Sequence, residues 1–562
     1  MEKFFMPEPG IAGRYIYTCK DAEGKLSDIL FRDTEHFNFA YDVVDELGKK
    51  CPTKTAMLHI SKNGRERHIT FQDMVKYSNM TANYLSYLGI KRGDRVLLVL
   101  KRHYQFWFII LALHKIGAVA VPASYLLTKK DFEYRFKAAR IRAVIASGEG
   151  ELTDEIDKAA KSYDYLKTKI IVNGTKQGWD SYNRSAKFFS TEFQRPEDAP
   201  GGDDPMLMFF TSGTTSYPKM ASHSFKYPLG HYVTARYWHG IGENGLHFTI
   251  SDTGWGKALW GKLYGQWLCE ATVFTYDYSD FYAKEILSMI EKYRIKTFCA
   301  PPTVYRFLVH VDLSHYDLSS LTNVTTAGEA LNPEIFRRFQ KATGLPIMEG
   351  FGQTETTLLI GTLQGMTPRP GSMGKPSPQY DVHILKPDGN ECSIGEVGEI
   401  CVKTSESIPT GLFLGYFMEP EKTQAVWHDG FYHTGDTAYM DKDGYLWYVG
   451  RVDDIIKSAG YRVGPFEIEN EIMRLPYVLE CAATSIPDAV RGQAIKASIV
   501  LAEGAEATDA LKKEIMKYLR NTLASYKRPK IIEFVTDLPK TSSGKVRRAE
   551  IKEKDWEKDK KK

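Results

Sequence analysis

Runs of apolar residues separated by polar turns follow a strand–helix–strand order in the first half of the chain. Residues 95–100 form a short β-rich run, residues 104–116 an apolar block of helix length, and residues 117–122 a second buried strand. Because parallel strands are joined by crossover helices, this order predicts a doubly wound parallel sheet. A similar alternation of strand and helix signals occurs over residues 284–300 and 321–343. The pattern therefore predicts an α/β fold.

The pattern changes beyond residue 371, where short strands alternate with turns. Asp-Gly pairs end at Gly389, Gly430 and Gly444. Such pairs are typical of antiparallel hairpins because glycine and aspartate tolerate the left-handed backbone of tight turns. We expect a β-barrel-like subdomain in this part of the large domain.

The end of the chain has the elements of a separate small domain. Two helices and two strands are predicted there, over residues 465–474, 494–500, 509–523 and 531–534. We place a boundary at Asp453, which gives a large domain over residues 1–452 and a small, mobile α+β domain over residues 453–562. The charge-rich tail over residues 552–562 is predicted to be a solvated, frayed end.

Composition narrows the class of protein. Of 562 residues, 43% are hydrophobic and 26% charged, and the formal net charge is only +4, which argues against a nucleic-acid partner. The seven cysteines form no C-x-x-C pair, and the apolar stretch over residues 106–113 is too short to span a bilayer. The N-terminal residues carry charge and proline, unlike a signal peptide. A cytoplasmic enzyme without a membrane span is expected, and self-association into a homo-oligomer stays open.

A hydroxyl-rich loop over residues 211–219 is the first candidate for chemistry. It follows a hydrophobic strand over residues 207–210 and closes with Pro218 and Lys219. Backbone N–H groups and hydroxyls in such a loop can surround phosphate oxygens while lysine supplies a positive charge. It is not a Walker A loop, because the chain has no G-x-x-x-x-G-K-[ST]. A plain serine- and threonine-rich surface turn is the alternative.

A second motif, Glu-Gly-Phe-Gly-Gln-Thr-Glu, spans residues 349–355. Its glycines allow the backbone to approach a ligand, Phe351 offers a stacking face, and Thr354 and Glu355 offer oxygens to a hard cation. A glycine-rich turn before a helix cap would be the structural alternative.

Charged residues in three later segments complete the candidate set. Asp436 and Arg451 flank a predicted hairpin and suit the oxygens of a ribose. Arg462 lies in Lys-Ser-Ala-Gly-Tyr-Arg, and Lys545 in Pro-Lys-Thr-Ser-Ser-Gly-Lys. Each segment alone is weak evidence for a binding site, since most surface lysines are simply solvated and Thr-Gly-Asp is a common hairpin turn.

In order and spacing, these segments resemble the adenylate-forming superfamily of acyl-CoA synthetases, luciferases and peptide-synthetase adenylation domains. The resemblance covers residues 35–555 and departs from the usual pattern at Ser216, where the family has glycine. It implies that Phe351 lies against adenine and that Asp436 and Arg451 hold the ribose. It rests on five segments, over residues 211–219, 349–355, 432–454, 457–464 and 538–547.

The resemblance also implies roles for individual residues. It assigns catalysis to Lys219, Thr354, Glu355 and Lys545, and ligation of Mg²⁺ to Thr214 and Glu355. The ATP site that it implies comprises Thr211, Ser212, Gly213, Thr214, Thr215, Ser216, Tyr217, Pro218, Lys219, Gly328, Glu329, Ala330, Glu349, Gly350, Phe351, Gly352, Gln353, Thr354, Asp436, Arg451, Arg462 and Lys545.

Four further segments are similar to the medium-chain acyl-CoA synthetase branch, over residues 250–257, 457–462, 487–492 and 525–529. The similarity implies CoA contacts at Ala459, Gly460, Tyr461, Arg491 and Arg520, although Arg520 lies in a predicted helix and an ordinary solvated arginine is the alternative.

The same resemblance indicates an acyl pocket near Trp255, Lys257, Trp260 and Gly352. Acetate-specific relatives place a tryptophan where this chain has Gly352, so its absence predicts room for larger or branched acids. Core packing is the alternative reading of the aromatic residues, and Lys257 is unexpected in an apolar pocket because a buried charge is costly.

The implied reaction is acyl-CoA synthesis from ATP, a carboxylic acid and CoA through an acyl-adenylate. The resemblance also implies that the small domain rotates about Asp453 between the two half-reactions. This rotation would replace Lys545 in the active site with the segment around Gly460. Three alternatives stay open: a ligase with another thiol or oxygen as acceptor, an acetate or propionate ligase, and a nucleotide-binding protein without catalytic activity.

Overall fold

The computed structural model describes residues 3–211, 218–242, 244–458, 461–488, 492–541 and 545–560. The strands within these ranges are β1 (Met6–Pro7), β2 (Ile16–Lys20), β3 (Leu26–Phe31), β4 (Thr55–Ile60), β5 (Glu66–Thr70), β6 (Arg95–Val99), β7 (Val119–Pro122), β8 (Ile141–Ser147), β9 (Thr168–Val172), β10 (Asp180–Ser181), β11 (Pro205–Thr211), β12 (Lys219–Ser224), β13 (Leu246–Thr249), β14 (Thr272–Tyr276), β15 (Thr297–Cys299), β16 (Asn323–Ala327), β17 (Ile347–Phe351), β18 (Ile360–Gly361), β19 (Lys375–Pro376), β20 (Val382–Leu385), β21 (Gly398–Lys403), β22 (Gly415–Tyr416), β23 (Trp427–His428), β24 (Phe431–Met440), β25 (Leu446–Arg451), β26 (Ile456–Ser458), β27 (Tyr461–Val463), β28 (Val478–Asp488), β29 (Gly492–Leu501) and β30 (Ile531–Phe534).

The α-helices in the same ranges are α1 (Glu46–Lys50), α2 (Phe71–Tyr87), α3 (Gln105–Ile116), α4 (Lys129–Ala139), α5 (Leu152–Ala160), α6 (Tyr182–Ser185), α7 (Tyr227–Tyr232), α8 (Gly256–Lys262), α9 (Tyr264–Leu268), α10 (Ala283–Lys292), α11 (Pro302–Leu308), α12 (Pro333–Thr343), α13 (Pro420–Gln424), α14 (Pro465–Ile472), α15 (Asp509–Thr522) and α16 (Arg548–Lys560).

The first large sheet contains the predicted strand–helix–strand unit. Among the described residues its order is β10-β9-β8-β6-β7-β11-β12-β22, parallel from β10 to β11. The runs predicted over residues 95–100, 104–116 and 117–122 are β6, α3 and β7, so that prediction is confirmed. Helix α3 is apolar on every side because it belongs to a core shared by strands of both large sheets.

The second large sheet interleaves distant parts of the chain. Among the described residues its order is β19-β18-β17-β16-β15-β13-β14-β4-β5. Strand β4 pairs in parallel with β14, placing Met57 opposite Val273. Strands β15, β16 and β17 are parallel neighbours, so the turns at their carboxyl ends meet at one sheet edge.

An antiparallel sheet follows the two parallel ones, as the Asp-Gly turns predicted. In the described part of the chain it comprises β20, β21, β23, β24 and β25, with β24 at its centre. The turn between β23 and β24 places Asp429 at φ 52° and Gly430 at φ 80°, both in the left-handed region. The backbone therefore needs these residue types for the reason given by the sequence.

The residues after Asp454 form a further sheet with its own hydrophobic core. Strands β26 to β30 pair with one another, and their main core cluster draws only on residues 456–532. Asp453 lies in an exposed one-turn 3₁₀ segment between β25 and β26. The boundary at Asp453 stays a prediction, and the separate core supports it. The two-part α/β architecture predicted from the sequence is confirmed.

The prediction of a frayed tail was wrong. Residues 548–560 form α16, whose Trp556 Nε1 donates to the carbonyl of Ser485 at 3.1 Å. Asp555 pairs with Lys496 at 2.8 Å. Within this charged segment, one part-buried tryptophan contact and one ion pair hold the helix on β28 and β29.

Candidate active site

The base of the predicted phosphate loop is a hairpin between β11 and β12. Thr211 and Lys219 lie opposite each other at its end. The carbonyl of Pro218 accepts a hydrogen bond from Tyr134 Oη at 2.7 Å, and Lys219 Nζ lies 4.7 Å from the centre of the Tyr416 ring. The residues between them lie outside the described residues, so their assignments stay predictions: Ser212, Gly213, Thr214, Thr215, Ser216 and Tyr217.

Glu355 lies buried beside Lys219. Its Oε1 accepts a hydrogen bond from Tyr416 Oη at 2.8 Å. Burial raises the pKa of Glu355, and the Tyr416 hydroxyl and the charges of Arg451 and Lys219 partly oppose that shift. A buried carboxylate with one oxygen fixed by a neutral donor fits the preference of Mg²⁺ for oxygen ligands.

Gln353 connects the second motif, residues 349–355, to the predicted ribose-binding residues Asp436 and Arg451 through hydrogen bonds. Its Oε1 accepts from Tyr432 Oη at 2.6 Å, and its Nε2 donates to the carbonyl of Thr434 at 2.7 Å and to Asp436 Oδ2. Asp436 is opposite Arg451 in the register of β24 and β25, and the two side chains pair at 3.1 Å. Residues far apart in the sequence are thus held in one hydrogen-bonded network.

The turn after β16 carries the residues predicted to contact adenine. Gly328 has φ 106°, a conformation that favours glycine. Glu329 Oε2 accepts from Thr303 Oγ1 at 3.2 Å, and Ala330 follows in the same turn. Phe351, at the end of the neighbouring β17, lies 6.2 Å from the Tyr448 ring and is half-buried. The edge between β16 and β17 therefore offers a flat aromatic face beside a glycine turn.

Two members of the second motif have structural reasons of their own. A Cβ at Gly350 would lie 2.7 Å from the Trp238 ring, so packing excludes a side chain there. Glu349 is buried, and its oxygens accept the backbone N–H groups of Leu331 at 3.3 Å and Gly371 at 3.2 Å. Glu349 thus fixes two loops beside the site, and a contact with ATP stays a prediction.

Burial raises the pKa of Glu349 to about 8. Between the ordinary value of 4.5 and about 8, the folded protein holds a proton that the unfolded chain has released. The contribution of this proton to the free energy of unfolding is fully present below the ordinary pKa of glutamate and is lost as the pH rises towards 8. The free energy of unfolding falls over this range by at most about 1.4 kcal/mol per pH unit.

Glu349→Gln should therefore remove that slope, because glutamine does not titrate. We expect the urea midpoints of variant and wild type to be similar at pH 5 and the variant to gain relative stability at pH 6, 7 and 8. Parallel pH profiles for the two proteins would show that Glu349 does not carry the proton.

The predicted acyl-pocket residues surround the start of α8. Lys257 Nζ donates to the carbonyl of Ala327 at 2.7 Å and lies 5.5 Å from the centre of the Trp260 ring. Trp255 Nε1 is buried without a hydrogen-bond partner, a donor left for a ligand or water. Tyr264 and Trp267, which follow in α9, are fully buried core residues.

Gly352 proves to be constrained by the backbone as well. A Cβ there would lie 2.2 Å from the carbonyl oxygen of Thr357. In this backbone a side chain at residue 352 would require the turn at Thr357 to move, so the presence of glycine does not measure pocket volume by itself.

The small domain brings Lys545 towards the same place. Desolvation lowers the pKa of Lys257, and the charge of Lys545 contributes to that shift. Arg306 of α11 donates to the carbonyl of Leu479 at 3.3 Å, a contact between the two parts of the chain. Leu479 and Lys545 of the small domain thus both interact with residues of the large domain.

Other predicted CoA and phosphate contacts are only partly visible. The backbone of Tyr461 and Arg462 lies in β27, and their side chains lie outside what the structure describes. Ala459, Gly460 and Arg491 also lie outside the described residues. Arg520 is exposed near the end of α15.

Three residues of the site have no signal in the sequence. Tyr416 contacts both Lys219 and Glu355, and Tyr448 Oη donates to Asp436 Oδ1 at 3.0 Å. His223 Nε2 donates to the carbonyl of Thr354 at 2.8 Å, and burial lowers its pKa to about 4, so it stays neutral. Tyr416 and His223 contact residues that are distant in the sequence, and Tyr448 contacts Asp436 across the β24–β25 hairpin, so no motif names these three residues.

The chain is similar to known proteins over nearly its whole length. It is 39% identical over 545 residues to the acyl-coenzyme A synthetase ACSM3, mitochondrial, of Homo sapiens, covering 95% of this chain and 92% of that protein. It is 38% identical over 533 residues to ACSM5, mitochondrial, of Homo sapiens, covering 93% and 91%.

Two solved structures share the fold. The anthranilate CoA ligase AuaEII in complex with anthranoyl-AMP has a TM-score of 0.83 and 29% identity, covering 92% of this chain and 97% of that one. An acyl-CoA synthetase of Brucella canis has a TM-score of 0.71 and 28% identity, covering 94% and 95%. Residues 467–545 match the AMP-binding enzyme C-terminal domain, and residues 44–417 match the AMP-binding enzyme model. The chain therefore belongs to the AMP-binding enzyme family.

Proposed function

We propose that this protein is an acyl-CoA synthetase, which converts ATP, a carboxylic acid and CoA into acyl-CoA, AMP and pyrophosphate through an acyl-adenylate. One observation carries the proposal: Lys219 and Arg451, which come from separate segments, both act electrostatically on the buried carboxyl of Glu355, and Arg451 also pairs with Asp436. Lys545, from a fourth segment, acts electrostatically on Lys257 of the predicted acyl pocket. The relatives named as acyl-coenzyme A synthetases support CoA as the acceptor.

In the first half-reaction, the carboxylate of the acid attacks the α-phosphorus of ATP and pyrophosphate leaves. Lys219 and Lys545 stabilise the negative charge that develops on the phosphates, and Arg462 is proposed to assist them. Asp436 accepts hydrogen bonds from the ribose hydroxyls while Arg451 and Tyr448 hold its carboxylate. Gln353 keeps this ribose site in register with Thr354 and Glu355.

Glu355, together with Thr214, is proposed to hold Mg²⁺. When bound, Mg²⁺ supplies charge neutralisation to the phosphate oxygens. Tyr416 fixes the Glu355 carboxylate for that purpose, and His223 fixes the adjoining backbone.

In the second half-reaction, the CoA thiol attacks the acyl carbonyl and AMP leaves. We propose that Asp453 is the pivot that moves Lys545 away and brings the segment at Ala459, Gly460 and Tyr461 to the thiol. The exposed 3₁₀ turn at Asp453, between two separately cored sheets, supports a pivot there. Arg491 and Arg520 are proposed to hold CoA phosphates.

The proposed acids are short-to-medium-chain or branched fatty acids. The ammonium of Lys257 is held against Ala327 and beside Trp260, so an acyl chain meets a cation at this side of its pocket. Burying each further methylene is worth about 0.8 kcal/mol, roughly fourfold in kcat/KM, and a cation in its path forfeits that gain.

Lys257→Met should therefore shift the preference towards longer acids. We expect the ratio of kcat/KM for octanoate over propionate to rise at least about tenfold. Burial of fewer than two additional methylenes would be enough for this change. Pyrophosphate release over acids from acetate to decanoate, with and without CoA, measures this ratio and tests the proposed activity together.

Lys262→Met is the matched control. Lys262 lies on the same helix and its Nζ also donates to a carbonyl, that of Ser251 at 2.7 Å, but its charged neighbours are Arg102, Asp252 and Asp277. Equal chain-length profiles for the two variants would show that Lys257 does not line the acyl pocket.

The same assay distinguishes the alternative functions. Pyrophosphate release that does not change on addition of CoA would favour a different acceptor, and no release with any acid would favour a nucleotide-binding protein without catalytic activity.

We further propose that the enzyme acts in the cytoplasm on small molecules, with no nucleic-acid partner. No helix in the described part of the chain combines the length and apolar character needed to cross a bilayer. Association of the chain with copies of itself stays open.

A further inference from the structure

A cluster of metal-binding side chains lies on the central antiparallel sheet, on the opposite face from the ribose pair. Glu399, Cys401 and His433 place one carboxylate oxygen, one sulfur and one imidazole nitrogen within 4.8 Å of one another. Cys401 and His433 are directly opposite in the register of β21 and β24, and Glu399 lies two residues before Cys401, across an irregularity in that pairing. The proposed acyl-CoA chemistry uses none of these side chains.

Strand alternation explains why this face is separate from the nucleotide face. Along β24, Tyr432, Thr434 and Asp436 are buried towards the nucleotide side, whereas His433 and Gly435 are half-buried on the other side. Side chains at i and i+2 share a face of a strand, so the cluster and the ribose pair lie back to back.

Two distances in the cluster are close to those of a tetrahedral zinc site. Cys401 Sγ lies 3.4 Å from His433 Nδ1, and the same nitrogen lies 3.1 Å from Glu399 Oε2. With Zn–S bonds of about 2.3 Å and Zn–N or Zn–O bonds of about 2.0–2.2 Å, neighbouring ligand atoms lie roughly 3.3–3.6 Å apart. Three ligand types suited to zinc therefore already lie close enough together to share a single cation.

A nucleophilic cysteine does not explain the cluster. In a Cys-His-Glu relay the imidazole would use one nitrogen for the thiol and the other for the carboxylate. Here Nδ1 of His433 faces both, and its Nε2 is buried without a hydrogen-bond partner. Cys401 is fully buried at 0% exposure, so no substrate carbonyl can approach its sulfur.

The surroundings favour a bound cation. His428 stacks face to face on His433 with ring centres 3.9 Å apart, which fixes the imidazole. His383 is the cross-strand neighbour of Cys401 on the other side and carries Glu391 as a hydrogen-bonded partner. Glu399 keeps its side chain 26% exposed, which leaves a path from solvent.

We propose that Glu399, Cys401 and His433 form a site for Zn²⁺ or a similar borderline divalent cation, with water completing the coordination. Glu399 Oε1 also accepts the backbone N–H of Gly435 at 2.8 Å. The cation would therefore brace β24 one residue before Asp436, as a structural support outside the reacting groups.

Titration with Co²⁺ tests the proposal through absorbance. The untagged, chelator-treated full chain, kept reduced with a phosphine, should bind one Co²⁺ per chain with a near-ultraviolet thiolate-to-cobalt band, and Zn²⁺ should displace it. Cys401→Ser should abolish the band, whereas Cys481→Ser, at a buried cysteine of the small domain, should keep it.

Glu399→Gln provides a second variant at a partly exposed position. It should retain the band and weaken the affinity at least about tenfold, as loss of a metal-site partner typically does. Circular dichroism confirms that each variant is folded. Absence of the band in the wild type, or its persistence in Cys401→Ser, would overturn the proposal.

Discussion

Lys545→Ala is expected to slow pyrophosphate release by about 10²–10³-fold, the usual cost of removing one preorganised group that stabilises developing charge. The Lys545 loop is held by the bond from Thr541 N–H to the Lys545 carbonyl at 2.8 Å and by the bridge between Lys540 and Val546. The charge of Lys545 acts on Lys257 in the large domain. This effect on a residue of the predicted acyl pocket supports a place for Lys545 near the proposed adenylate.

The second half-reaction should be spared in this variant. Supplying synthetic acyl-adenylate and CoA and measuring AMP release isolates that step, which does not need Lys545 under the proposed rotation. Lys540→Ala is the matched control, since Lys540 lies on the same loop but pairs with Glu480 at 2.9 Å and Asp537 at 3.0 Å. Equal losses in both half-reactions would contradict an adenylation-specific role.

Asp436→Ala is expected to raise the KM for ATP about 10- to 100-fold, the value of one charge-assisted hydrogen bond to the ribose. It should also lower the free energy of unfolding, because Arg451, Tyr448 and Gln353 all lose their carboxylate partner. The loss should be smaller than the roughly 3–5 kcal/mol seen on breaking a fully buried pair, because the Arg451 side chain keeps 36% exposure.

Asp441→Ala separates the two effects of that substitution. Asp441 follows β24, pairs with Arg369 at 2.7 Å and accepts from Trp447 Nε1 at 3.1 Å. It should lose comparable stability with an unchanged KM for ATP. Steady-state kinetics and urea unfolding of both variants provide the comparison, and a normal KM for ATP in Asp436→Ala would remove this residue from the ribose site.

Local patterns were sufficient to predict many of the helices and strands, whereas the roles of the charged motif residues came from the family resemblance and stay predictions. The β6–α3–β7 unit and the Asp-Gly hairpins follow from hydrophobic periodicity and turn chemistry, which act within a few residues. The pairing of Asp436 with Arg451 also followed from a hairpin, since the two strands are joined by one short turn.

Partners supplied by distant strands could not be predicted. Tyr416 reaches Glu355 because β22 pairs with β12, and His223 reaches Thr354 from β12 itself. The steric reason for Gly352 depends on where the Thr357 carbonyl turns back towards it. The predicted frayed tail was wrong for a related cause: the contact of Trp556 with Ser485 is invisible in a run of charged residues.

The insertion of β4 beside β14 has a consequence for synthesis of the chain. Residues 55–60 are made more than 200 residues before residues 272–276, with which they pair. At about 5–20 residues per second, the β4–β5 hairpin waits roughly 10–40 s on the ribosome with an open parallel edge. Chaperone capture and aggregation of nascent chains should therefore depend on this hairpin. A chain that ends before β14 would leave β4 without its parallel partner strand.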